Sequence, residues 1–269
     1  MANLAASLSV MVAVALPWGQ VAVRLAFGVV LNLLVYLTND AYDIEVDLAS
    51  PRKDHEKARF LDEHRPSIRL AQGLLVALLF GIATVWSRGL VVTASVAGAL
   101  CWAYSARLKR LAGWDVVSVL ALTVAGTMLA FPLDSVLGWC LVGQLGLFSV
   151  CFQTLQMLRD HDDDRAFGLR TTAVRLGIRR TTGLQRVLMV VSAAYAMAMV
   201  HRWVGLALLV APLLPMRRGG AEAHWNRVRG VFGVAWLAMV AWIVETGGTD
   251  GLLVRVAREQ VVGWLTAVR

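Results

Sequence analysis

Apolar positions in this chain do not alternate with polar ones at the period of a half-buried helix or strand; they run on without interruption. Gly19–Thr38 holds twenty residues with a single charge, Arg24. Such runs recur along the chain, and we place helices at about residues 3–16, 19–40, 67–87, 89–105, 114–131, 134–158, 183–200, 203–215 and 229–247. A hydrocarbon core of roughly 30 Å needs about 20 helical residues, so the first and eighth of these are short for a straight span. Pro17, Pro132, Pro215 and the Gly247-Gly248 pair punctuate the ends. Helix is the expected spanning form, because backbone polar groups inside a bilayer must be satisfied within the segment. The pattern predicts an all-α integral membrane protein of about nine transmembrane helices, forming a single transmembrane helical domain over residues 1–269. The first segment has no basic leader or small-residue cleavage site and is expected to be retained as helix.

Composition agrees with that picture. Of 269 residues, 58% are hydrophobic and 16% charged, where soluble domains carry about 25% charge; mean hydropathy is +0.64. The net charge of +8 does not imply nucleic acid, because no basic face is interleaved with aromatic residues. The basic residues instead crowd into alternate links. Those after the second, fourth, sixth and eighth helices carry, among others, Arg52, Lys53, Lys57, Arg107, Lys109, Arg165, Arg170, Arg217 and Arg218; the intervening links carry almost none. The positive-inside bias therefore predicts that these links and the N-terminus are cytoplasmic. The tail over residues 249–269 is amphipathic and expected at the opposite interface. Cys101, Cys140 and Cys151 all lie inside apolar runs, with no metal-binding spacing.

Acidic residues break the pattern. Twelve of 18 lie within 39–63 or 160–164, on the positively biased side. The first cluster, NDAYDIEVD at 39–47, continues the second helix. Asn39, Asp43 and Asp47 are spaced i, i+4, i+8, so they share one face over roughly 12 Å. Tyr36 and Asn32 are expected to extend that face into the hydrocarbon. In the second cluster, DHDDD at 160–164, Asp160 and Asp164 repeat the spacing, with Gln153 and Gln156 before them near the same face. Two facing carboxylate sets repel unless a cation lies between. Mg2+ takes one or two carboxylates, waters and substrate phosphates, and paired sites of this kind suit a diphosphate that leaves with its charge neutralised. Between the clusters, helix four ends WAYSARLKR. Lys109 there is placed to hold a phosphate and Tyr104 to donate to it, although an aromatic-belt residue followed by a basic anchor fits the same letters. Arg24, about 22 Å from Asn39 along the helix, is expected to snorkel to the far face.

These motifs resemble those of the UbiA family of intramembrane prenyltransferases. N-D-x-x-D-x-x-x-D stands as NDAYDIEVD, Y-S-x-x-L-K as YSARLK at 104–109, and D-x-x-x-D with G-x-x-(S/T)-T-A as DHDDDRAFGLRTTA from Asp160. The resemblance spans nearly the whole chain. It implies a UbiA-like fold whose helices enclose a central cavity open sideways to lipid. It further implies that Asn39, Asp43, Asp47, Asp160 and Asp164 hold Mg2+, two ions bridging a diphosphate, with Tyr104 and Lys109 fixing or polarising it. The donor is then an isoprenoid diphosphate, whose tail lies against apolar and Trp-rich walls. The acceptor is small and lipophilic or aromatic, and no protein partner is required.

The chain departs from the family pattern after the first motif. Pro51-Arg52-Lys53 follows directly and HEKARFLDEH separates it from Arg65-Pro66, so the lid region around 44–66 is altered; Arg52 and Lys53 are carried as diphosphate contacts. Asp162 and Asp163 are expected to be solvated or supporting, and His161 a bystander. Two other reactions remain compatible with the letters, terpene cyclisation without an acceptor and phosphoribosyl transfer to a polyprenyl phosphate. A transporter is disfavoured, since the apolar segments show no inverted pair of broken helices.

Overall fold

In the computed structural model, residues 2–49, 54–216 and 221–254 are described, and every regular element among them is helical. In chain order these are α1 (Ala2–Ala13), α2 (Trp18–Ala49), α3 (His55–Glu63), α4 (Arg65–Trp86), α5 (Arg88–Ala106), α6 (Trp114–Thr127), α7 (Val136–Arg159), α8 (His161–Ala166), α9 (Thr172–Leu176), α10 (Ile178–Tyr195), α11 (Arg202–Leu208) and α12 (Ala221–Thr246). Six of them (α2, α4, α5, α7, α10 and α12) are long and apolar enough to cross a membrane. The apolar helices α1, α6 and α11 are shorter, and they occupy the first, fifth and eighth expected positions. The expected nine spans thus resolve into six full-length helices and three short ones.

Local chemistry sets the ends. Ser87 accepts from the Leu90 N–H at 3.3 Å and Ser135 from the Gly138 N–H at 3.1 Å, capping α5 and α7. Pro66 stands in the first turn of α4, where its missing N–H costs no bond. The burial pattern ranks the helices. In α7, 56% of the spanning window is buried, against 17% in α4, so α7 is the central pillar and α4 faces lipid. Hydrogen bonds tie neighbours at depth: Gln144 donates to Ser192 at 2.7 Å and the Trp236 indole to Ser9 at 2.8 Å.

The 32 residues of α2 make it roughly 48 Å long, well over the thickness of the hydrocarbon core. Its last turns therefore project beyond the apolar layer as unbroken helix, and those turns carry Asn39, Asp43 and Asp47. Beyond residues 50–53, α3 fills most of the segment expected to form a lid. Asp54 caps it by accepting from the Lys57 N–H at 3.0 Å, Ala58 is its buried residue, and Lys57 pairs with Asp40 at 2.7 Å. The amphipathic tail lies largely outside the described residues; its start is tied down by the Asp250 N–H donating to the Val200 carbonyl at 2.8 Å.

Arg24 does not snorkel. It is buried, and its Nη1 donates to the Leu129 and Phe131 carbonyls at 2.6 and 3.3 Å. Those carbonyls lie where α6 tightens into the 3-10 turn Met128–Ala130 and runs out of helical donors. Because α6 stops short of a full span, a side chain from α2 satisfies its end.

Between α10 and α11 the helix widens to a π turn, Ala196–Val200. Gly205 lies against it so closely that a Cβ would stand 2.6 Å from the Ala193 carbonyl oxygen and 2.7 Å from the Met197 nitrogen. Backbone cannot yield as a flexible side chain can. Gly205→Ala is therefore expected to cost about 2–3 kcal/mol or more, in the overpacking range. A thermal midpoint in detergent within 1 °C of the parent would contradict this packing.

Candidate functional site

The projecting end of α2 faces the end of α7 across a cavity of about 520 Å3. Asn39, Asp43 and Asp47 line one wall; Gln153, Gln156 and Asp160 line the other, joined by Asp163 and Asp164 of α8. Tyr104, at the end of α5, and Lys109, in the following 3-10 turn Leu108–Arg110, close a third side. All seven described site residues expected from the sequence thus border one space, although the chain separates the first from the last by 125 positions. Arg52 and Lys53 lie outside the described residues.

Lys109 organises the α2 side. Its ammonium donates to Asp43 Oδ1 at 2.6 Å and to Asn39 Oδ1 at 2.9 Å, and its side chain is 13% exposed. Burial pulls its pKa below the usual lysine value, and the Asp43 charge opposes that. Across the cavity, burial pushes the Asp164 carboxyl above the ordinary carboxylate range; the Thr171 hydroxyl, donating at 3.0 Å, opposes it, while Asp160, Asp163 and Asp115 add to it. Asp160 is the C-cap of α7 and is gripped by Arg159 at 2.8 and 3.2 Å.

A threonine pair braces the second motif. Thr171 turns its hydroxyl to Asp164. Thr172 donates both its backbone N–H, at 2.6 Å, and its hydroxyl to the buried Asp115 carboxylate, and accepts from the Gly113 N–H at 2.7 Å. Asp115, in the first turn of α6, is 1% exposed and locks α9 to α6. The sequence reading overlooked it. Its only signal was a lone acid opening an apolar helix, and its partner is 57 residues away.

Three expectations need correcting. Tyr36 is 53% exposed and is not in the cavity lining. It stands three residues from Asn39, about 60° around the helix, whereas Asn32 is only about 20° off. Asn32 instead lines a smaller pocket of about 260 Å3 that also touches Tyr104. Asp163, expected to be solvated or supporting, borders the cavity, because α7 ends at Asp160 and α8 starts a new helical phase. The described tryptophans do not wall the cavity: seven of these nine are exposed, and neither the main cavity nor the pocket behind it has one in its lining. His161 lies with its Nδ1 2.9 Å from the carboxylate of its neighbour Asp162.

The donor set fits a hard cation. Among the described residues no three acidic, His or Cys side chains gather into a ready-made cage, but Mg2+ does not require one when phosphate oxygens and water complete its shell. Asn39 and Asp43 already hold a cation between them, the Lys109 ammonium. Opposite, Asp160, Asp163 and Asp164 accumulate negative charge.

Similar proteins are known. Residues 2–226 match the UbiA prenyltransferase family. The chain is 27% identical over 252 residues to a lycopene elongase/hydratase of Haloarcula japonica, covering 84% of this chain and 80% of that protein. It is 35% identical over 156 residues to a digeranylgeranylglyceryl phosphate synthase of Korarchaeum cryptofilum, covering 53% and 51% of the two. Among solved structures, a UbiA homologue from Archaeoglobus fulgidus bound to DMAPP and Mg2+ superposes with a TM-score of 0.66 at 15% identity, over 89% of this chain and 96% of that one.

Proposed function

The chain belongs to the UbiA prenyltransferase family, a multi-pass membrane enzyme, and on that premise we propose that it moves a prenyl group from an isoprenoid diphosphate to a lipophilic acceptor, with Mg2+, in the cavity between α2 and α7. The observation that carries the proposal is the meeting of Asn39, Asp43 and Asp47 with Asp160 and Asp164 around one space that Lys109 and Tyr104 also border. Those five residues would hold two Mg2+ ions. When bound, the ions neutralise the diphosphate and the charge that builds on it as it leaves.

The chain's own groups do the rest. Lys109 turns from Asn39 and Asp43 toward the diphosphate as a point charge, and the Tyr104 hydroxyl donates to the same group. The allylic C–O bond breaks with its electron pair going to the diphosphate. The π electrons of the acceptor then form the new C–C bond, and the acceptor loses a proton. An aromatic ring can supply those electrons. The terminal alkene of a polyene can do so equally, a reading supported by the likeness to lycopene elongase/hydratase. We place the cavity on the cytoplasmic side, on the strength of the basic links that surround it.

The test is turnover in reconstituted vesicles. Prenyl diphosphates of increasing length should release pyrophosphate only when an aromatic or polyene acceptor is added. EDTA should stop the release and Mg2+ restore it. A cyclic product without acceptor would replace transfer with cyclisation, and metal-independent release would remove Mg2+ from the proposal.

A further inference from the structure

A second polar chamber lies on the opposite side of α2. It measures about 420 Å3 and is lined by Arg65, Arg69 and Arg110, with Glu45 as its one acid. Glu45 stands two residues from both Asp43 and Asp47, about 200° around the helix, so α2 separates this chamber from the catalytic cavity; only Arg110 borders both. Arg65 is engaged with Asp62 at 2.7 Å and Arg110 donates to the Tyr42 carbonyl at 3.2 Å, whereas Arg69 has no ion pair among the described residues.

The chamber continues into an apolar groove of about 460 Å3, the two sharing Tyr42 and Gln72. The groove runs between α4 and α5 over a floor of buried α2 residues, Leu31, Leu34 and Thr38. A Cβ added to Gly98 on its α5 wall would meet nothing within 4 Å, so the groove is open there. From Arg69 to Phe80, where the groove ends on α4, is eleven residues or about 16 Å of helix. Half a hydrocarbon core of roughly 30 Å has the same length. Moreover α4 is the least buried of the six long helices, so the groove opens to lipid.

We infer that this groove holds one anionic phospholipid of the leaflet on the acidic-cavity side, its phosphate among Arg65, Arg69 and Arg110 and one acyl chain between α4 and α5, against α2. Guanidinium groups match phosphate oxygens in pairs, and basic pockets between helices select anionic headgroups. The prenyl diphosphate donor, although also an anionic amphiphile, is drawn instead to the carboxylate cavity, where metal can join it. The lipid sits against the back of the helix that carries Asp43 and Asp47 and fixes its projecting turns.

Native mass spectrometry of detergent-purified protein tests this with phosphatidylglycerol and phosphatidylcholine of identical acyl chains. At equal concentration, phosphatidylglycerol should occupy one site at least fivefold more than phosphatidylcholine, and raise the thermal midpoint where phosphatidylcholine does not. Arg65→Gln/Arg69→Gln should abolish the preference while Mg2+-dependent binding of a prenyl thiodiphosphate stays within twofold. If that double variant does not accumulate, Arg69→Gln alone should lower the preference at least twofold. Equal occupancy by both lipids, or a preference that survives the substitutions, overturns the inference. So does displacement of phosphatidylglycerol by the thiodiphosphate without metal, which would make the groove a donor path.

Discussion

Asp43→Asn is expected to lower prenyl transfer at least 100-fold while the protein still folds. The substitution keeps the shape and an amide oxygen that can still accept from Lys109, but removes the charge. Asp43 is the one α2 carboxylate that Lys109 touches, at 2.6 Å, and it faces the acidic wall across the cavity. Removing one electrostatic contact to developing charge typically costs about 100- to 1,000-fold in turnover. Removal of a metal-holding charge should match or exceed that. Asp40→Asn is the internal control. Asp40 is one residue from Asn39 but pairs with Lys57 outside the cavity, and its loss should change turnover less than threefold. Pyrophosphate release and a thermal midpoint, measured on both variants, separate chemistry from folding. Near-parental turnover in Asp43→Asn would take this carboxylate out of the site.

The contrast between Asp40 and Asp43 was readable in the sequence because it needs only helical geometry. The apolar run sets α2, the run's length forces its end out of the hydrocarbon, and a period of 3.6 sorts the nine residues of the first motif into faces. The same arithmetic placed Gln153 and Gln156 on the cavity wall. It failed where the helix did not continue. It assumed one phase across Asp160, but α7 stops there, and Asp163 came round to the cavity. It also failed wherever a polar group's partner lies far along the chain. Arg24 looked like a stray charge that must reach water, yet it serves carbonyls 105 and 107 residues away. Nothing in the letters near Arg24 announces that α6 will end early. The exposed tryptophans misled for a similar reason: composition counts them, but only packing decides which side of a helix meets lipid.

Asp115 is the sharpest case of a long-range partner, and its replacement should have the second largest effect. In Asp115→Ala two donors of Thr172, the backbone N–H and the hydroxyl, lose their acceptor in a site where Thr172 itself is 4% exposed. Each unsatisfied buried donor costs about 1–3 kcal/mol, so a loss of about 2–4 kcal/mol and a clearly lower thermal midpoint are expected. The effect should also reach the chemistry. Thr172 adjoins Thr171, whose hydroxyl holds Asp164 at 3.0 Å, so releasing α9 from α6 loosens a carboxylate of the acidic wall. Asp115 is then a positioning residue, and its signature is a roughly tenfold rise in the Mg2+ concentration that gives half-maximal turnover, measured below the variant's melting range. Asp115→Asn retains one acceptor and should recover part of both losses. Thr172→Val removes the hydroxyl but keeps the N–H, and should shift the Mg2+ requirement in the same direction by less. A destabilised Asp115→Ala with an unchanged Mg2+ requirement would confine this residue to holding the fold, and the tie from α6 through the threonine pair to Asp164 would carry no catalytic weight.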